Sequence, residues 1–419
     1  MHDFVYKNNE LYCEKLKVSA IAKECGTPLY IYSYKTLTDH FHKLKEAFKS
    51  VNPLICFAMK ANDNLSVIKA LADQGAGFDI VSIGELKKAI KVKADLQKIV
   101  FASVGKTEEE ITLAIKSKIL FFNVESLPEL VEINRIAGKL KKVPQIALRI
   151  NPDVDAVTHA RITTGTLKNK FGIDLKTALQ ILKNKKKYKN LNINGLHCHI
   201  GSQITTVDPY IKALKKVTAF IQTCKKEGIA IKTLNMGGGL GINYNNDKAN
   251  TAKQFAGKVM PLLKKCDVKI IIEPGRFIAG NAGIFVTKTL YLKDNGVKKF
   301  LIVDGGMNDL ARPSLYNAYH HIQPLKKTRA KKIVMDVVGP ICESGDFFAK
   351  DRKLAPMKKG DLLAIMGAGA YGYVMASNYN VRRRPAEVMV KGNKFAVIKK
   401  RETFKDLIAG EDIPAFLEK

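Results

Sequence analysis

Through the first two-thirds of the chain, short apolar runs alternate with longer stretches of helical amphipathic spacing. The runs are PLICFAMK (53–60), FDIVS (78–82), KIVFAS (98–103), ILFFNV (119–124), IALRINP (146–152), INGLHCHIG (193–201), TLNMGGG (233–239) and KIIIEPG (269–275). Between them lie segments such as NLSVIKALADQG and SIGELKKAIKV, whose apolar residues recur at three- and four-residue intervals. Eight short buried strands alternating with helices predict a (β/α)8 TIM-like barrel, although an open doubly wound sheet shares the local pattern. In a barrel, the chemistry gathers at the C-terminal ends of the strands. Those ends carry Lys60, Asp79, Ser103, Arg149, His199, Gly237–Gly239 and Glu273–Arg276. Any one of them alone is an ordinary loop residue; their shared position on one rim is what carries weight.

The pattern changes after about residue 280. GIFVTKTLYLK, KKFLIVDGG, KKIVMDVVGP and DLLAIMG are strand-like and separated only by turns or irregular segments. In VMVKGNKFAVI, Gly392-Asn393 between two strand-like runs predicts a tight hairpin. LYIYSYK (29–35) supplies further strand near the start. The expected organisation is a barrel over 36–280 and an antiparallel β-sandwich or β-barrel domain built from both chain ends, 1–35 and 281–419.

Composition adds a second question. The 419 residues suffice for two ordinary domains, and 46% hydrophobic with 26% charged residues is normal for a folded protein. The formal charge of +31, however, suggests a polyanionic partner. It is made of 59 Lys and only 11 Arg, with the lysines scattered and locally clustered at 183–189 and 326–332. Nucleic-acid binders usually concentrate charge on one face and favour Arg, and no zinc-finger, helix-turn-helix or RNA-binding motif accompanies these clusters. A solvated lysine-rich surface is the expectation, with no nucleic-acid partner. No apolar run approaches the ~20 residues that cross a bilayer, and the opening MHDFVYKNNELYCEKLK lacks the order of a secretory signal. Seven widely spaced cysteines without a CxxC pair fit a reducing cytoplasm. His197-Cys198-His199 offers at most two ligands on one face of a strand, so no metal is expected.

Three rim features point to one cofactor. Lys60, at the end of an apolar strand, is placed for Schiff-base chemistry. GGGLG (237–241) exposes backbone N–H groups where a helix should begin, a setting for phosphate. EPGR (273–276) sets an acid suited to a protonated ring nitrogen three residues before an arginine suited to a carboxylate or phosphate. Together they describe pyridoxal 5′-phosphate chemistry, with His199 placed to stack on the ring.

FAMKAN (57–62), LHCHIGSQ (196–203), NMGGGLG (235–241), EPGR (273–276), RPSLYNAYH (312–320), CESGD (342–346) and GAGAYGYVMASNYN (367–380) then fall in one order over essentially the whole length. In these motifs the chain resembles the fold type III pyridoxal-phosphate-dependent decarboxylases, and among them most closely the diaminopimelate decarboxylases. The resemblance implies conversion of meso-2,6-diaminopimelate to L-lysine and CO2, the last step of lysine biosynthesis. It implies that Lys60 carries the cofactor, His199 stacks on its ring and Glu273 pairs with the ring nitrogen. Ser202, Gly238, Gly239, Gly275, Arg276 and Tyr371 are implied to hold the phosphate, and Arg276, Arg312, Tyr316, Glu343 and Tyr371 the substrate. Cys342 is the implied proton donor. Cys342 and Glu343 come from the partner subunit in this family, which implies a homodimer with shared active sites.

One stretch departs from the family pattern. Where members commonly read His-Pro-Tyr-Ile-x-Thr-Gly, this chain has HARITTG (159–165), with Ala160 and Arg161 replacing Pro and Tyr. A decarboxylase for another amino acid, such as carboxynorspermidine, is the alternative within enzymes. A non-catalytic homologue is the alternative outside them, and it must explain why Lys60, Glu273 and Cys342 all remain.

Overall fold

The structure is a computed structural model describing residues 2–155, 170–245 and 248–418. The chain divides into two compact units, Thr36–Gly280 and Met1–Lys35 with Asn281–Lys419. The HARITTG stretch lies outside the described residues.

Three short strands open the chain, β1 (Phe4–Lys7), β2 (Glu10–Cys13) and β3 (Leu16–Lys17), paired antiparallel. β4 (Leu29–Ser33) follows, buried at every position. The larger unit then supplies β5 (Leu54–Ala58), β6 (Gly77–Ile80), β7 (Ile99–Ala102), β8 (Phe121–Val124), β9 (Gln145–Arg149), β10 (Asn192–His197), β11 (Thr233–Asn235) and β12 (Lys269–Ile272). These eight run parallel and close into a barrel, β12 pairing with β5. Each falls on one of the eight apolar runs. Several of the intervening helices begin where a polar side chain takes up an orphan amide: Ser82 accepts from Glu85, Thr107 from Glu110, Ser126 from Glu129 and Asp174 from Thr177.

The pleat of these strands explains how an apolar barrel makes a polar mouth. Cys56, Val100, Phe121, Ala147 and Ile271 pack as one cluster. Because a strand repeats every two residues, the next position on the same face lies one step nearer the C-terminal end. That step turns Phe121 into Asn123, Ala147 into Arg149 and Ile271 into Glu273. Gly195 is likewise followed by His197, and Gly77 by Asp79.

The second unit is built on β13 (Gly283–Asp294), β14 (Lys299–Val303), β15 (Ile322–Pro324), β16 (Ile333–Val338), β17 (Phe347–Leu354), β18 (Leu362–Ile365), β19 (Ala386–Lys391) and β20 (Lys394–Lys399). β4 joins this sheet between β13 and β19, so both chain ends build it. Most pairings in this sheet are antiparallel, as expected, while β4 with β19 and β14 with β16 pair in parallel. The sheet is covered on both faces. Leu29 and Ile31 of β4 join Ile284 and Val286 in one cluster, whereas Tyr30 and Tyr32 join Phe285 in another. This is why LYIYS is apolar without alternation. The β19–β20 hairpin turns through Gly392 at φ +64°, as its sequence predicts.

A buried ion pair braces the barrel loops. The Lys106 ammonium donates to Ser103 O (2.8 Å), Asn123 O (2.9 Å) and Glu129 Oε1 (2.6 Å), filling all three donor positions. The lysine side chain is fully enclosed and that of Glu129 nearly so. Replacing Lys106 with Ala strands a buried carboxylate and two carbonyls, and should cost about 3–5 kcal/mol in urea denaturation. Lys106→Met with Glu129→Leu, which removes both charges, should recover most of that loss.

Candidate active site

At the C-terminal mouth of the barrel lies a cavity of about 290 Å³, lined among others by Lys60, Arg149, His197, His199 and Glu273. Lys60 sits two residues beyond β5, in the helical turn Met59–Ala61. Its side chain is about one-third exposed, and Nζ lies 2.7 Å from Oδ2 of the wholly buried Asp79 on β6. The amine is therefore tethered by a carboxylate rather than simply desolvated. Burial and the nearby Glu273 push the Asp79 carboxyl up to about 6, against the pull of Lys60.

Glu273, just past β12, is the hub of this mouth. Burial alone would push its carboxyl up, but His197 and Lys60 with the amide of Asn235 overcome that and hold it below the usual carboxylate range. His197 Nε2 is 3.2 Å from Oε2. Asn123 Nδ2 donates to Oε1 at 3.1 Å, and Asn235 Nδ2 donates to the same oxygen. Three strands thus converge on one carboxylate. Sequence reading assigned Glu273 but missed its donors. Asn123 and Asn235 sit inside ordinary-looking strands, and only the two-residue register relating them to Glu273 could have found them.

His199 lies two residues beyond His197, and both line the cavity, as strand alternation suggests. The Gly238 N–H donates to His199 Nδ1 at 3.1 Å, which puts the imidazole hydrogen on Nε2. Burial, followed by the charges of Arg149 and Lys60, holds His199 well below its ordinary value near 6.5. Arg149 in turn donates to Glu125 Oε1 at 2.6 Å and lies 4.7 Å from the centre of the Phe171 ring.

The glycine loop differs from expectation in two ways. No helix begins directly after it; the next starts at Ala252. Several of its amides are already committed: Gly237 N–H to Asn235 Oδ1, Gly238 N–H to His199 and Gly241 N–H to Ile204 O. What Gly238 contributes is the absence of a side chain, since a Cβ there would meet Glu273 O at 2.1 Å. Gly239 accepts from Ile204 N–H at 2.9 Å. Gly275 caps the short helix Arg276–Ala279, and a Cβ on it would stand 2.9 Å from Ala61 Cβ, beside Lys60. Arg276 is buried, donating to Ser202 Oγ (3.1 Å) and Tyr244 Oη (2.8 Å).

The remaining sequence-predicted residues belong to the β unit, which gathers its three motifs. Ser314, in the helix Arg312–Tyr316, donates to Gly345 O at 2.6 Å, and Cys342 N–H donates to Asn380 Oδ1 at 2.9 Å. Arg312 is buried, Tyr316 and Tyr371 are half-buried, and Cys342 and Glu343 are exposed. Tyr371 adopts φ +55°, a left-handed conformation uncommon for a residue bearing a Cβ. Asp346 of CESGD is architectural: its carboxylate accepts from Met307 N–H and Ile341 N–H, both at 2.7 Å.

An amine tied to a carboxylate, a second carboxylate held ionised at the floor of a cavity and a neutral imidazole at its side fit pyridoxal phosphate. Its ring nitrogen needs an ionised acid, and its aldehyde needs a lysine. Residues 34–280 match the family model for the pyridoxal-dependent decarboxylase, pyridoxal binding domain. The chain belongs to the pyridoxal-dependent decarboxylase family. It is similar over 404 residues to diaminopimelate decarboxylase of Aquifex aeolicus, at 48% identity and 96% of each chain. Diaminopimelate decarboxylase of M. jannaschii, solved with L-lysine, superposes with a TM-score of 0.95 at 39% identity, covering 99% of this chain and 98% of that one. The Helicobacter pylori enzyme, also complexed with L-lysine, gives 0.90 at 42%, covering 93% and 98%.

The neutral state of His199 has a measurable consequence. Its native value is depressed, so below about pH 6.5 the unfolded chain takes up a proton that the folded chain refuses. Stability from this group is present above 6.5 and is lost as pH falls toward the native value. In urea denaturation of the apoprotein, wild type should lose up to about 1.4 kcal/mol per pH unit below 6.5 relative to His199→Gln. Identical pH slopes would contradict the neutral assignment.

Proposed function

We propose that the chain removes the carboxylate from the D-configured centre of meso-2,6-diaminopimelate, giving L-lysine and CO2, in the cytoplasm and as a homodimer. The observation that carries this reading is the pairing of Lys60 with Asp79 and of His197 with Glu273 at the barrel mouth. The diaminopimelate decarboxylases to which the chain is similar over nearly its whole length support it.

Pyridoxal phosphate, when bound, supplies the sink for the electron pair left as the Cα–carboxylate bond breaks. Lys60 Nζ would tether it, and His199 would lie against its ring. Ser202, Gly239, the Gly275-Arg276 turn and Tyr371 would hold the phosphate, with Gly238 giving the backbone room to approach it. The Glu273 carboxylate, held ionised by its donors, would pair with the ring nitrogen and favour a proton there. The Arg276 and Arg312 guanidinium groups, with Tyr316 and Tyr371, hold the distal carboxylate, and Glu343 takes the distal ammonium. The Cys342 thiol delivers the proton to Cα. Arginine suits this work because its planar fork matches a carboxylate, and the chain has only 11 arginines beside 59 lysines.

The purified holoenzyme should release equimolar CO2 and L-lysine from meso-diaminopimelate and no CO2 from ornithine or carboxynorspermidine; turnover of either of those would overturn the substrate assignment. Lys60→Ala should lose both turnover and the visible cofactor band.

The exposed Cys342 and Glu343 fit donation to a partner's site, and subunit mixing tests that sharing. Lys60→Ala and Cys342→Ala homodimers are each expected to be inactive. Mixed and allowed to exchange one to one, they should regain about a quarter of wild-type activity, because half the dimers then carry one intact site. No recovery despite demonstrated exchange would mean that each site draws on one chain alone.

A further inference from the structure

The motif RPSLYNAYH ends on a histidine that none of the roles above uses. His320 is wholly buried, and both ring nitrogens are engaged. Nδ1 lies 2.8 Å from the Met366 carbonyl oxygen, and Nε2 lies 2.7 Å from Arg312 Nη1. A carbonyl only accepts, so Nδ1 carries the hydrogen; Arg only donates, so Nε2 is the acceptor. The two partners therefore specify one neutral tautomer. The histidine backbone is anchored as well. It lies two residues before β15, whose Ile322 pairs with Ile365 of β18, and between them Met366 N–H donates to His321 O at 2.8 Å. Arg352 Nη1 donates to His320 O at 2.9 Å, and its guanidinium lies 4.1 Å from the centre of the Tyr319 ring. The imidazole thus spans from a strand pair to the guanidinium of the helix Arg312–Tyr316.

We propose that His320 is a positioning residue that fixes the Arg312 guanidinium for the distal carboxylate of the substrate. The inference rests on the reading that Arg312 binds that carboxylate. A neutral acceptor suits the task physically. An Asp or Glu in its place would orient the guanidinium but offset its charge and compete with the substrate anion, whereas neutral imidazole orients without adding negative charge. Because the contact is made alike in ground and transition states, its loss weakens uniform binding and raises KM more than it lowers kcat.

The test is a mutant cycle on the holoenzyme with meso-diaminopimelate, recording KM, kcat, the visible cofactor band and Tm. His320→Leu should raise KM about tenfold or more while kcat at saturation and the cofactor band stay within about threefold of wild type. His320→Gln can place an amide oxygen near Nε2 and should restore most of the affinity; His320→Asn, whose shorter amide reaches only toward Nδ1, should not. Arg312→Ala should raise KM at least as far, and His320→Leu should add nothing in that background. Additive KM effects would overturn the proposal, as would a parallel fall in Tm, kcat and cofactor band with KM unmoved. If Arg312→Ala leaves KM unchanged, the substrate role of Arg312 fails and the proposal falls with it, whereas a normal effect there with none at His320 sinks the proposal alone. Should His320→Leu not fold, the Gln and Asn variants decide, and equal KM values for them would contradict the assignment.

Discussion

A carboxylate enclosed at the mouth of an eight-stranded barrel must be met by donors or lose its charge. Glu273 meets that demand from three strands, β8, β10 and β11, through Asn123, His197 and Asn235. Taking a carboxylate out of water costs several kcal/mol unless hydrogen bonds and opposite charge replace the lost hydration. The network therefore fixes more than one side chain. A strand slipped by a single residue would turn its donor to the outside of the barrel and leave Glu273 unanswered. The glycine loop obeys the same constraint at close range, because Gly238 must let its backbone approach the Glu273 carbonyl while passing its N–H to His199.

Charge at this site is arranged by position rather than by amount. The surface carries most of the excess that gives +31, but at the barrel mouth Lys60 faces Asp79 and Arg149 faces Glu125, while His197 hydrogen-bonds Glu273. This arrangement leaves one neutral imidazole, one ionised acid and one tethered amine in a single cavity. A lysine-rich exterior is compatible with this interior because exposed charges are screened within about 10 Å at ordinary salt, whereas the buried pairs are not.

Much of this was legible in the sequence, for identifiable reasons. All eight barrel strands fall on the apolar runs, because a strand buried on both faces reads as a short unbroken apolar segment. The polar residues that end those runs marked the mouth, and LYIYSYK correctly joined the first residues of the chain to the late sheet. The parallel pairing of β4 with β19 was not legible, since those strands lie hundreds of residues apart and nothing local specifies direction. The helix expected after the triple glycine does not form there, and the loop amides turn inward instead. Triple glycine marks freedom of backbone, not the use made of it. The donors of Glu273 and the partner of Arg312 were hidden for a common reason. A buried Asn or His is placed by what lies opposite, which only the folded packing supplies.

On the proposed reading, one lysine of 59 is set apart by its surroundings to carry the cofactor. Borohydride reduction of the holoenzyme, followed by proteolysis and mass spectrometry, tests it directly. The pyridoxyl group is expected on Lys60 at near one per chain and on no other lysine to a comparable extent. A label distributed over surface lysines, or absent from the peptide containing FAMKAN, would contradict it.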